Sequence, residues 1–429
     1  MKTVSIHSIA RVEGHCGVTV QLDEGSVKAV RVDVHEGPRL IEQLVIGMKP
    51  EEAYSLTPRI CAICTMSHKL ASLRAFERAF DLTVPPKIDL LRKLVHTGEI
   101  IESNSLHVFL LALPDLMGFP SALAMAAEHG DAVKRALRLK QYGNRIMEVT
   151  SGRATHGENP VLGGFGRMPE RAELEALRKQ AEELFEDAEA GLSLLGELQC
   201  PPYGEAETIF MCLEPSDEAY GFVGDTVRLS TGETRSIEEY KQLTNEQVVP
   251  HSFAKRCRYN GKPFFVGALA RMNLMGERLE GKAGSLFRHH YYPRWLRNPI
   301  MNNWAQAVEI LHCIETLPEL IHKIIEAPDA KTVAPTKTSG EATGAVEAPR
   351  GTLYHHYRVE DGIITDADLV IPTTQNLDCM EMHCRVAAER LVGHGKEGEE
   401  LLHPLEMIVR AYDPCISCST HAVRLEDLS

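Results

Sequence analysis

No stretch of this sequence is apolar for long enough to cross a bilayer. A membrane-spanning helix needs about 20 consecutive apolar residues, and the most apolar run, HVFLLALPDLMGFPSALAMAA, is interrupted by Pro114, Asp115 and Pro120. The N-terminal residues MKTVSIHSIARVEG form no basic-then-apolar leader, so a cytoplasmic chain is expected. Positive charge is scarce too: 46 Lys and Arg stand against 60 Asp and Glu, a formal net charge of -14 that argues against a nucleic-acid partner. No Gly-rich nucleotide fingerprint and no internal repeat are visible. Closely spaced cysteine runs of the kind that hold iron–sulfur clusters are also missing. Of the eleven cysteines, Cys16, Cys200, Cys212, Cys257, Cys313, Cys379 and Cys384 are scattered. We therefore expect reduced thiols rather than a disulfide framework, and no iron–sulfur cluster in this chain.

The other four cysteines are paired at opposite ends of the chain. RICAICTMSH carries Cys61 and Cys64 followed by His68, and DPCISCSTH carries Cys415 and Cys418 followed by His421. A Cys-x-x-Cys spacing lets two sulfurs converge on one ion, and thiolates select soft and borderline metals. Three readings compete. Structural zinc ribbons keep their two pairs roughly 15–20 residues apart, whereas nearly the whole chain lies between these. A thioredoxin-like redox pair needs a compact strand–motif–helix unit, and none precedes Cys415. The third reading is a buried catalytic metal centre that joins the two ends of the chain.

Four segments favour the third. RICAICTMSHKLAS, DPCISCSTH, the early RVEGH (11–15) and the late EAPRG (347–351) occur in an order that resembles the large subunit of a [NiFe] hydrogenase, from about residue 8 to the end. RAYDPCISCSTHAVRL looks most similar to the cytoplasmic NAD(P)-linked enzymes, including the sulfhydrogenase alpha subunits. The resemblance implies an α+β, predominantly α fold, a long-helix bundle with small N- and C-terminal sheets. It implies Cys61 and Cys415 as terminal nickel ligands, Cys64 and Cys418 as bridges to an iron, and carbon monoxide and cyanide on that iron. Four thiolates and two cyanides against two divalent ions leave about two buried negative charges that need compensating donors. Arg350 is expected beside the cyanides, Thr373 or Thr374 as hydroxyl donors to them, and Asp115 as a partner of Arg350. Glu13, Arg350 and Cys415 are the implied catalytic residues, with Glu13 as the proton gate. His68, four residues after Cys64, is expected to donate a hydrogen bond to a bridging sulfur.

The family also holds a magnesium (or iron) ion near the C-terminus, which implies Glu42, the Leu377 carbonyl and His421 as its ligands here. The tail AVRLEDLS (422–429) would be removed by a maturation endopeptidase. Implied partners are an iron–sulfur small subunit and flavin/NAD(P)-binding and ferredoxin-like electron-transfer subunits, with sulfur or polysulfide as a further acceptor. The alternatives are a deazaflavin-reducing, heterodisulfide-linked or bidirectional NAD-linked hydrogenase subunit, the related quinone-site subunit of complex I, which lacks the cysteines, and a zinc-stapled scaffold.

Periodicity sketches a single domain. The pattern VTVQLDEGSVKAVRVDV predicts a hairpin in an N-terminal β region (1–50). A helical body (51–326) follows, with helices at about 88–113, 121–150, 169–198 and 303–325. A Pro-, Thr- and Gly-rich surface linker is expected over 327–348. A C-terminal segment (349–421) should hold a second hairpin turning at Asp361-Gly362 and helices at about 377–391 and 398–410.

Overall fold

The computed structural model describes residues 2–217 and 219–420. Strands β1 (Lys2–Ile6), β2 (Cys16–Asp23) and β3 (Ser26–Val34) form an antiparallel sheet in that order. The β2–β3 hairpin turns where Asp23 and Gly25 place it, and Val18, Val20, Val30, Val32 and Val34 fill its buried face. The short helix α1 (Ile41–Val45) leads to a helical body of α2 (Thr65–Ala79), α3 (Pro86–Ser105), α4 (Gly130–Ser151) and α5 (Arg171–Glu197). In α5 the buried residues Leu174, Leu177, Ala181, Leu184, Ala188, Leu192 and Leu195 recur every three or four positions. That stripe lies against α7 (Asn302–Glu326), while α3 packs on both α4 and α7.

The predicted helix over 88–113 does not run through in one form. Residues 106–112 widen into a π-helical turn ahead of Pro114, which has no N–H to return to the preceding turn. The predicted 121–150 helix also divides, into a single turn at Ala122–Met125 and then α4.

Two expectations need correction. The stretch 51–326 is not purely helical: β4 (Ile209–Glu214), β5 (Thr226–Leu229), β6 (Thr234–Ser236) and β7 (Phe264–Phe265) form a sheet in the order β6-β5-β4-β7, ahead of α6 (Ala268–Met275). The linker expected over 327–348 ends at 339. Residues Gly340–Ala348 are a mostly buried strand, β8, in an antiparallel meander with β9 (Gly351–Glu360) and β10 (Ile363–Val370). The β9–β10 hairpin turns at Asp361-Gly362 as the sequence predicts. Then α8 (Pro372–Gly393), α9 (Glu399–Ala411) and the single turn α10 (Ile416–Ser419) return the chain to its beginning. Among the described residues no helix is long and apolar enough to cross a membrane.

The small residues of β8 have a packing reason. Helix α2 lies across β8 and β9, with Phe76 stacked on Tyr357 at 4.4 Å between ring centroids. A Cβ on Gly344 would stand 2.3 Å from the Ala71 carbonyl oxygen and 2.4 Å from the Ala75 nitrogen. Gly344→Ala is therefore expected to push α2 off the sheet and to destabilise the chain by about 1–3 kcal/mol, read as a lower denaturant midpoint at unchanged m-value.

Candidate metal centre

Both Cys-x-x-Cys pairs sit at helix starts. The 3₁₀ turn Thr57–Ile60, begun by Pro58 in its first turn, leads into Cys61, and Cys64 caps α2; Cys415 caps α10, which contains Cys418. Buried together, Cys61 and Cys415 place their sulfurs 3.3 Å apart, Cys64 and Cys418 also 3.3 Å, and Cys415 and Cys418 2.8 Å. All four Sγ atoms lie within 4.8 Å of one another. Hydrogen bonds from Cys415 and Cys418 hold the Cys61 thiol well below its ordinary pKa, whereas burial pushes Cys415 and Cys418 well above theirs.

The surroundings are polar and fixed. At the turn between β8 and β9, Arg350 donates from Nε to the Asp413 carbonyl at 2.6 Å and from Nη2 to the Asp413 carboxylate at 2.9 Å. Its Nη1 is buried without a hydrogen-bond partner among the described residues. Thr373 accepts the Cys415 N–H at 2.9 Å and keeps its own proton to donate, and the buried Thr374 hydroxyl has no partner among the described residues. Arg350, Thr373, His68, Cys64, Cys415 and Cys418 line one small cavity, together with apolar side chains that exclude water. The donor set fits a dinuclear soft-metal centre carrying anionic ligands: four converging cysteine sulfurs, a buried cation with an uncommitted N–H, and the Thr373 hydroxyl on the same cavity.

Glu13 meets the second pair through backbone and side chain. Its carbonyl accepts the Ile416 N–H at 3.0 Å, and its carboxylate accepts the Ser417 N–H at 3.1 Å and the Ser417 hydroxyl. His68 brings Nε2 within 3.8 Å of the Cys418 sulfur and shares a 3.0 Å hydrogen bond at Nδ1 with His355. Burial lowers the His68 pKa to about 4, so the ring is neutral and acts as a hydrogen-bonding group.

Other expected residues fall elsewhere. Asp115 does not pair with Arg350. It binds Arg11 and, at 2.7 Å, Arg410, because the wide turn ahead of Pro114 aims it at the N-terminal loop and at α9. Glu42 is buried in α1 and accepts the Leu369 N–H at 2.7 Å, which places it against β10. Leu377 is buried in the first turns of α8. His421 and the tail 422–429 lie outside the described residues. Sequence reasoning missed Asp413, Ser417 and His355. The first two stand inside the DPCISC motif and were legible there as neighbours of the ligands.

Comparison with known proteins agrees with this geometry. The family model described as nickel-dependent hydrogenase matches residues 39–137 and 220–421, and one described as HoxL-like matches residues 3–36. The chain belongs to the nickel-dependent hydrogenase family, as a [NiFe] hydrogenase large subunit. It is 40% identical over 424 residues to the sulfhydrogenase 1 subunit alpha of Pyrococcus furiosus, covering 98% of each chain. It is 32% identical to the NAD-reducing hydrogenase HoxS subunit beta of Cupriavidus necator, covering 97% of this chain and 94% of that one. The crystal structure of an NAD+-reducing [NiFe]-hydrogenase in the H2-reduced state superposes with a TM-score of 0.90 at 31% identity, over 98% of this chain and 100% of that one.

The Thr373 contact gives a test. In Thr373→Val the Cys415 N–H is left buried and unpaired, a cost of about 1–3 kcal/mol, whereas Thr373→Ser retains the acceptor. Metal analysis and denaturation should show lower nickel occupancy and stability in the valine variant, and near-normal values in the serine variant.

Proposed function

We propose that this chain splits dihydrogen reversibly at the four-cysteine centre and delivers the electrons, through an iron–sulfur small subunit, to a flavin/NAD(P) module. The observation that carries this reading is the convergence of four sulfurs beside a buried arginine whose charge is matched by Asp413. When bound, a nickel–iron pair carrying carbon monoxide and cyanide would be held by Cys61, Cys64, Cys415 and Cys418 and would supply the site of heterolytic cleavage. The chain does the rest. Arg350 and Thr373 direct donors at the anionic ligands, and the apolar cavity wall excludes water. Glu13, hydrogen-bonded to the first residues of α10 between Cys415 and Cys418, receives the proton and passes it outward.

A flavin/NAD(P) acceptor is supported by the names of the Cupriavidus relative and of the superposed structure, and a sulfur acceptor by that of the Pyrococcus relative. We further assign Glu42, a backbone carbonyl and His421 to a magnesium site near the C-terminus, and the residues after His421 to a segment removed by a dedicated endopeptidase in a cytoplasmic enzyme.

Elemental analysis of the purified complex should find nickel and iron near one each per chain; zinc alone would overturn the proposal. Glu13→Gln should keep both metals and lower H2 turnover and H/D exchange by about 10²–10⁴-fold, with wild-type rates removing Glu13 from the path. The intact mass of the large subunit in active enzyme should end at His421.

A further inference from the structure

His107 is a buried histidine that the reading above leaves unused. It stands in the π-helical turn after α3, and both of its ring nitrogens meet oxygen. Nδ1 lies 2.5 Å from Oε1 of Gln306 on α7, and Nε2 lies 2.6 Å from the carbonyl of Arg410 in the last turn of α9. A backbone carbonyl only accepts hydrogen bonds, so Nε2 carries a proton. Gln306 settles the other nitrogen. Its amide Nε2 donates to Oδ2 of Asp413 at 3.1 Å, and Asp413 is the ionised member of a buried ion pair, with Nη2 of Arg350 at 2.9 Å from its other oxygen. With the amide nitrogen engaged there, its oxygen faces His107, and Nδ1 has to donate as well.

We propose that His107 is held as an imidazolium, a positioning residue whose charge acts on the four-cysteine centre through Gln306 and Asp413. Arg350 alone gives the centre no net charge, because Asp413 cancels it. Arg350, Asp413 and His107 together carry one positive charge, which offsets part of the negative charge that four thiolates and their metal-bound anions bring into the interior. Other acids do not neutralise the ring. Asp115, further along the same segment, is matched by Arg11 and Arg410, and Glu309, one turn after Gln306, by Arg271. A neutral ring would set a nitrogen lone pair against a carbonyl oxygen. The alternative is a proton on Asp413 with the Gln306 amide reversed, and the guanidinium beside that carboxylate opposes it. The contact also fixes geometry. The Arg410 carbonyl that receives Nε2 accepts the Asp413 N–H at 2.8 Å too, so His107 steadies the turn that leads to Cys415. No proton moves in this role; the charge is permanent.

The effect on the centre rests on the proposed function, whereas the charge on the ring does not, and the two are tested apart. Neutron diffraction from crystals of the purified complex grown in D2O should show deuterons on both ring nitrogens of His107 and none on the Asp413 carboxylate. A single deuteron on the ring, or one on Asp413, overturns the inference. Redox titration of the centre, followed by the CO and CN stretching bands, should give a half-reduction potential more negative in His107→Gln than in wild type, since a nearby cation favours the reduced state. In His107→Lys, which restores a cation, the potential should return toward the wild-type value. A ring that only fills space would not produce that reversal. An unchanged potential in His107→Gln with both metals retained overturns the electrostatic role. Should His107→Gln lose nickel, His107→Lys decides: an equal loss there overturns it. A wild-type complex with both deuterons in place but no CO or CN bands sinks the proposed function instead and leaves the imidazolium standing.

Discussion

The structure depends on joining residue 413–418 to a site whose other half lies more than three hundred positions earlier. Three different elements hold that short segment: Arg350 grips the Asp413 carbonyl and carboxylate, Thr373 accepts the Cys415 N–H, and the Glu13 carbonyl accepts the Ile416 N–H. Gly14 allows the last approach, since a Cβ there would stand 2.7 Å from the Ile416 Cβ. Breaking a buried ion pair by removing one partner costs about 3–5 kcal/mol, so the Arg350–Asp413 pair is the strongest of these ties. It also matches charge where four thiolates gather.

Arg350 is held in turn by a second buried network. Arg271 on α6 binds Glu309 of α7 through two hydrogen bonds, Glu347 of β8 at 2.6 Å, and the carbonyls of Ala348 and Pro349. Glu309 also receives Tyr220 and Asn104, and Glu347 receives the Leu213 N–H and Thr352. The turn that presents Arg350 is thus pinned by a guanidinium whose five N–H groups are matched by acids and carbonyls. Such a network fixes one arrangement, because an incompletely satisfied version would leave charges buried without compensation. The turn at 347–350 is held in place for this reason.

How much of this could be read from residues alone varies with the kind of information needed. The cysteines, Glu13, Arg350 and His68 lie in short motifs with their own spacing, and the structure brings Arg350 and His68 to the sulfurs and Glu13 to Ile416 and Ser417 between them. Pairing across the fold was less legible. Asp115 and Asp413 are both acids with buried side chains beside arginines, and nothing in the residues around each says that Asp413 meets Arg350 while Asp115 meets Arg410. Strand β8 was hidden because GEATGAVEA is small and flexible-looking, the composition of a linker. Its residues are small because α2 lies directly on them. The short strands β4–β7 gave too few alternations to announce themselves, although Phe210 to Leu213 form a buried apolar run.

The same contacts set an order of assembly. The groups that receive residues 413–418 come from the N-terminal loop, the β8–β9 turn and the start of α8, so none of them is complete until the sheets and the helical body have packed. Contacts between residues so far apart in sequence pay their loop-closure entropy late. The pocket around Cys61 and Cys64 can therefore form while the other two sulfurs are still free to swing away. Once Asp413 meets Arg350 and Ile416 meets Glu13, all four sulfurs lie buried behind apolar walls.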